Sequence, residues 1–103
     1  MRLSTLTGHE ALRAFLEHLE HERRAGGRTL EAYGACVRAY LAFLEGHLGD
    51  APSLVALGEV TAADLRAYLA ARRTGVRPLS ARSLSQALSA IRAFHRFLDA
   101  RLA

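Results

Sequence analysis

The chain has no lysine and no tryptophan, a single cysteine and only two prolines in 103 residues. Each scarcity excludes something. One cysteine, Cys36, cannot form an internal disulfide, so a disulfide-stapled scaffold is excluded and a reducing cytoplasm is the expected home. Little β-branched content and no alternating hydrophobicity argue against strands. No apolar run approaches the roughly 20 residues that a membrane span needs. The N-terminal MRLSTLTGHE lacks the apolar core of a signal peptide, so no membrane partner is expected. No G-x-G-x-x-G, Walker or zinc-ligand spacing is present, so neither a cofactor nor a metal is expected.

What remains is rich in alanine and leucine, a composition that favours helix. All fourteen basic residues are arginine, and the formal net charge is +4. Its distribution is uneven. Residues 1–51 carry six arginines against seven acidic residues, whereas residues 52–103 carry eight against Glu59, Asp64 and Asp99. A domain charged on one half suits an anionic partner.

One domain of four helices is expected, an all-α bundle. The first helix starts after Thr7, which forms a capping box with Glu10, and presents Leu12, Phe15, Leu16 and Leu19 to a core. Gly26 and Gly27 are expected to end it. Thr29 then caps a second helix running to about Glu45, with Leu30, Tyr33, Val37, Tyr40, Leu41 and Leu44 inward. Glu31, Ala35, Arg38, Ala39 and Ala42 face outward, where small residues admit a close neighbour or simply favour helix. Gly46 to Val60 reads as a connector that packs down through Leu54, Val55, Leu57 and Val60. Thr61, with Asp64, caps a third helix carrying Leu65, Tyr68 and Leu69 inward and ending at Arg72–Arg73. Ser80 caps a fourth, running to about Arg101.

The stretch Leu79 to Leu98 is the most informative. On a wheel of about 100° per residue, Leu84, Leu88, Ile91, His95 and Leu98 share one side, flanked by Ala87 and Phe94. Arg82, Ser85, Gln86, Ser89, Arg92 and Arg96 share the other. That second face contains no acid. Ordinary solvated faces mix signs, because i,i+4 acid–base pairs support a helix. An acid-free, hydrogen-bonding face fits a polyanion, above all the phosphate backbone of DNA. Laid in a major groove, it would use Arg82, Arg92 and Arg96 on phosphates or guanine edges, and Gln86 to pair with adenine. Arg28, with the free N–H groups after Thr29, offers a second phosphate contact, although Thr29 serves equally as a plain cap. Arg72, Arg73 and Arg77 extend the positive surface.

No catalytic set is legible. His18 and His21 lie three apart among glutamates, a poor metal site. His95 reads as a packed histidine, Cys36 as a buried structural thiol, and Tyr33, Tyr40 and Tyr68 as core residues at helical spacing. The carboxylates are dispersed.

Three segments carry a resemblance. They are Gly26-Gly27-Arg28-Thr29-Leu30-Glu31-Ala32-Tyr33, then Val60 to Leu69 (VTAADLRAYL), then Ala81-Arg82-Ser83-Leu84 with Leu88 to Leu98 (LSAIRAFHRFL). In this order and spacing, from about residue 10 to 100, the chain resembles the N-terminal core-binding, SAM-like domain of the tyrosine recombinase or phage integrase family, most closely its XerC/XerD branch. The resemblance implies a compact orthogonal four-helix bundle that forms one jaw of a clamp on double-stranded DNA. The second and fourth helices would enter the major groove. It implies DNA-facing roles for Arg28 and Thr29, and for Arg82, Ser83, Ser85, Gln86, Ser89 and Arg92; with the wheel and the charge pattern, Arg38, Arg77 and Arg96 complete the candidate DNA-binding residues. It further implies that the catalytic arginines, lysine, histidine and nucleophilic tyrosine belong to a C-terminal domain beyond this chain. That domain and sister protomers would be its protein partners, in DNA recombination, chromosome partition and cell division. The chain departs from the family at Gly26-Gly27, where Ser-Pro is common, and at Gln86, where a basic residue is common. An alternative reading is a helical protein-interaction domain whose arginine face meets an acidic partner.

Overall fold

The computed structural model describes residues 6–102, with the backbone alone for 102; residues 1–5, half of the N-terminal segment considered above, and 103 lie outside the described residues. Five helices follow one another: α1 (Gly8–His21), α2 (Gly27–Leu48), α3 (Leu54–Gly58), α4 (Ala62–Thr74) and α5 (Ala81–Phe97). A π-helical turn, Leu98–Leu102, extends the last of them. The architecture is all-α, with no strand among the described residues.

Local chemistry sets the helix starts. Thr7 and Glu10 form the expected capping box, each backbone N–H donating to the other's side chain at 3.0 and 3.1 Å. Thr61 and Asp64 repeat it at α4. Ser80 Oγ accepts from the Ser83 N–H at 3.1 Å to start α5.

The start of α2 differs from expectation. Gly26, in extended conformation, is the N-cap and Gly27 is the first helical residue. Thr29 is therefore the third residue of the helix and not its cap. The Gly-Gly pair does not terminate α1, which ends at His21, five residues earlier. The chain turns instead at Arg24, whose φ of 54° places it in the left-handed region. Gly46, expected to interrupt, lies inside α2, which stops at Gly49 with φ of 89°. A left-handed glycine is the usual helix stop. The connector condenses into the one-turn α3, capped by Ser53 Oγ on the Ala56 N–H at 3.1 Å. The last regular α-helix ends at Phe97, four residues short of Arg101.

The 22-residue α2 packs against both α1 and α5 and so organises the core. Val37, Tyr40, Leu41 and Leu44 of α2 are buried with Ala11, Leu12 and Phe15 of α1, Leu57 of α3, Tyr68 of α4, and Ala90, Ile91, Phe94, Phe97 and Leu98. Phe15 meets Phe94 edge-on at 5.5 Å and Phe97 at 5.6 Å between ring centres. On α5 the buried stripe is rotated from the expected one. Ala90 and Phe97 are inside, while Leu84 and Leu88 are half-buried. The reason is geometric: Phe97 completes the aromatic cluster around Phe15, drawing that edge of the helix inward.

Candidate nucleic-acid interface

Turning Ala90, Ile91, Phe94 and Phe97 into the core leaves the opposite side of α5 in solvent. Arg82, Ser85, Gln86, Ser89, Arg92 and Arg96 are all exposed. Among the described residues, none of these three arginines has a carboxylate within ion-pair distance. Among the described residues, Arg101 is the one arginine in an ion pair, with Glu22 at 2.8 Å. The acid-free face is thus also an unpaired face.

The helix starts sort in the same way. Acids occupy the first turns of α1 (Glu10) and α4 (Asp64), where the positive end of the helix dipole favours them. The first turns of α2 and α5 contain no acid. Arg28 and Arg82 stand second in these two helices, adding positive charge to an already positive end. That arrangement is unfavourable alone and favourable beside an anion. Arg28 and Thr29 are both exposed. Gly26 provides no side-chain cap to α2, so its first N–H groups have no side-chain acceptor at the cap position.

Between α2, α4 and α5 runs a groove of about 290 Å³, lined by Ala32, Ala35 and Ala39 with Arg72, Ser83 and Gln86. Ser83 is half-buried here, its Oγ accepting from Ser80 Oγ at 3.2 Å. Arg38 is exposed on α2 and folds back over Gly34; a Cβ on that glycine would lie 3.1 Å from the guanidinium. Arg77 is exposed in the loop between α4 and α5.

The two C-terminal arginines of the face diverge. Arg96 borders a cleft of about 440 Å³ together with Thr29, Tyr33 and Arg23. Arg92 borders one of about 300 Å³ with Tyr40, Thr61, His95 and Asp99. The candidate residues therefore form a broad basic surface, with Gln86 and Ser83 at its groove and Arg92 on its far shoulder. Sequence reasoning missed the inward placement of Arg72. Its position seven residues after Leu65 and four after Tyr68 was the available signal, since both of those face the core side.

The other titratable groups have structural surroundings, Cys36 and Tyr68 among them lining the same groove as Arg72. His18 pairs with Glu22 and His21 with Glu20, each at 3.0 Å. His47 pairs with Asp64 at 3.0 Å. Hydrogen bonds from Thr61 to the Asp64 carboxylate, with that from His47, hold it below the usual carboxylate range. Burial pushes the Cys36 thiol up, away from the reactive thiolate, against the opposing pull of Arg72. Burial likewise raises the Tyr40 and Tyr68 phenols. Among the described residues, no three His, Cys, Asp or Glu side chains gather as metal ligands. No described helix is long and apolar enough to cross a membrane.

The fold and this surface define a small all-helical domain with an unpaired arginine face. The phage integrase N-terminal SAM-like domain family matches residues 12–101, and the chain belongs to that family. It is 47% identical over 90 residues to the tyrosine recombinase XerC of Methylobacterium nodulans, covering 87% of this chain and 27% of that protein. Identity to the tyrosine recombinase XerC of Mesorhizobium japonicum is 41% over 91 residues, 88% of this chain and 28% of the other. For that of Bradyrhizobium diazoefficiens it is 42% over 85 residues, 82% and 26%. The chain thus spans about a quarter of the length of these relatives. No solved structure matches it.

Proposed function

We propose that this chain is the DNA-binding domain of a site-specific tyrosine recombinase of the XerC type, acting in the cytoplasm on double-stranded DNA. The observation that carries the proposal is the outer face of α5: six polar side chains, all exposed, with no acid and no paired arginine. Family membership supports it. In this reading α5 lies in the major groove, which admits one α-helix. Arg82, Arg92 and Arg96 neutralise phosphates, and Gln86 reaches base edges with Ser85 and Ser89 beside it. The first turn of α2 takes a further phosphate through Arg28 and its free N–H groups. Ser83, Arg38 and Arg77 contribute at the margins. Strand cleavage and rejoining belong to a separate C-terminal domain, which together with sister protomers would be the protein partner in recombination, chromosome partition and cell division.

The test is an NMR titration of the domain with a short duplex at low and then moderate salt. Shifts confined to residues 28–38 and 77–96, reversed by salt, support the proposal. Binding to an acidic peptide with no response to duplex at low salt would replace DNA by a protein partner.

A further inference from the structure

Among the described residues, Arg72 differs from every other arginine. It is half-buried, and its Nε is enclosed with no hydrogen-bond partner. The side chains beside it in the groove are neutral: Cys36, Tyr68, Ser83, Gln86, Leu79 and the α2 alanines. Its charge acts on two of them, opposing the rise that burial imposes on the Cys36 thiol and the Tyr68 phenol. A guanidinium drawn partly out of water without a counter-charge is costly, and the cost is removed when an anion arrives. The backbone at Arg72 is held in place, because the Leu79 N–H donates to the Arg72 carbonyl at 2.9 Å, tying the end of α4 to the approach to α5.

We infer that Arg72 is the anion ligand at the floor of the α2–α4–α5 groove, and that the groove seats one backbone phosphate of a DNA strand, with Ser83 and Gln86 as its hydrogen-bonding walls. The occupant follows from charge and shape. Exposed, unpaired arginines flank the groove in sequence on both long helices, Arg28 and Arg38 on α2 and Arg82 on α5. Ala32, Ala35 and Ala39 keep the α2 wall low enough for a backbone to approach. A guanidinium matches a phosphate bidentately and fixes its position, carrying no base information. Arg72 would therefore set the register in which Gln86 meets the bases. This rests on the DNA-binding reading above.

The experiment is a salt titration of the 103-residue chain on a mixed-sequence duplex, followed by fluorescence anisotropy. Arg72→Gln should weaken binding severalfold and reduce the slope of log K against log salt by about 0.9, the value of one phosphate contact. Arg72→Lys should keep the slope while losing affinity, since it keeps the charge and loses the planar fork. A folded Arg72→Gln with the unaltered slope overturns the phosphate site and leaves the DNA reading intact. If the unsubstituted chain ignores duplex at low salt, both readings fail. The unsubstituted chain also gives a direct readout: the Arg72 Nε–H signal should shift as duplex is added. An unmoved signal under saturating duplex overturns the site, as does a shift produced by polyglutamate and not by DNA.

Discussion

Tyr40 and His95 meet across the α2–α5 seam, the phenol oxygen 2.7 Å from Nε2 and the rings edge-on at 5.7 Å. Tyr40 is fully buried and His95 half-buried. With its proton on Nδ1, the neutral imidazole accepts from the phenol, and the one polar contact in this part of the core is satisfied. His95 stands one turn from both Arg92 and Asp99 on the same helical extension. The pair thus links the packing of the core to the shoulder of the arginine face.

This contact makes stability pH-dependent. Burial lowers the His95 pKa below its ordinary value, with the Asp99 carboxylate opposing. Between the folded and unfolded pKa values the unfolded chain binds more protons, so stability rises with pH there. The His95 contribution is complete above about pH 6.5, the ordinary histidine value, and is lost as pH falls below it. Melting temperatures measured from pH 8 to 5 should be flat above neutrality and fall on the acid side. His95→Gln should flatten part of that fall; an unchanged profile would mean that another group governs it.

The core boundary of α5 gives a second expectation. Ile91 is 1% exposed, whereas Leu88 is only half-buried. Ile91→Ala should cost about 2–5 kcal/mol in a urea titration. Leu88→Ala should cost less, because its site is already open to solvent. Equal costs would place both residues on the same buried stripe, contrary to the rotated packing found here.

For the arginine face, Arg92→Ala should leave the melting temperature nearly unchanged and reduce the salt slope of duplex binding by about 0.9. Arg13→Ala, exposed on α1, should leave that slope alone. Gln86→Ala should act differently, eroding discrimination between sites with adenine and those without by about 1–3 kcal/mol. An Arg92→Ala variant that unfolds would show that this side chain supports the core.

Much of this was legible from residue order. Thr7 with Glu10, Thr61 with Asp64, and Ser80 announce helix starts through local hydrogen bonding, which needs no tertiary context. The polar face of α5 was legible too, because exposure follows helical periodicity. The start of α2 was not: Thr29 carries a good capping side chain, yet Gly26 occupies the cap and the turn is made by Arg24, a residue with no turn signal. From sequence Arg72 counts as surface charge alongside Arg73 and Arg77, since residue type alone does not reveal which arginine a groove encloses. The placement of Phe97 and Ala90 in the core depends on Phe15 from a distant helix.

At the far end of α5, Glu22 receives both Arg101 guanidinium nitrogens, at 2.8 and 3.2 Å, and contacts His18 Nδ1 at 3.0 Å. These partners hold its carboxyl at about 2, well below the usual range. The clasp ties the π-helical turn to the end of α1. Its contribution is present above the ordinary glutamate pKa and fades as pH falls toward about 2. Glu22→Gln should speed amide exchange in residues 98–102 and leave the α2 amides unaffected. Unchanged exchange in that turn would show that its backbone alone holds it.

Glu31 is the last test, because it bears the wrong sign for its position. It is exposed on α2, beside Ala32 of the groove wall and three residues after Arg28, with no ion-pair partner among the described residues. If the outer face of α2 approaches a phosphate backbone, this carboxylate repels it. Like charges in water at contact distance cost about 1 kcal/mol, and more where solvent is excluded. Glu31→Gln should therefore tighten duplex binding severalfold at low salt, with the gain shrinking as salt screens the repulsion. The variant's slope of log K against log salt should therefore be somewhat steeper than that of the unsubstituted chain, through lost repulsion and not through a new phosphate contact. Affinity identical to that of the unsubstituted chain at every salt concentration would remove the outer face of α2 from the interface and leave DNA to α5 alone.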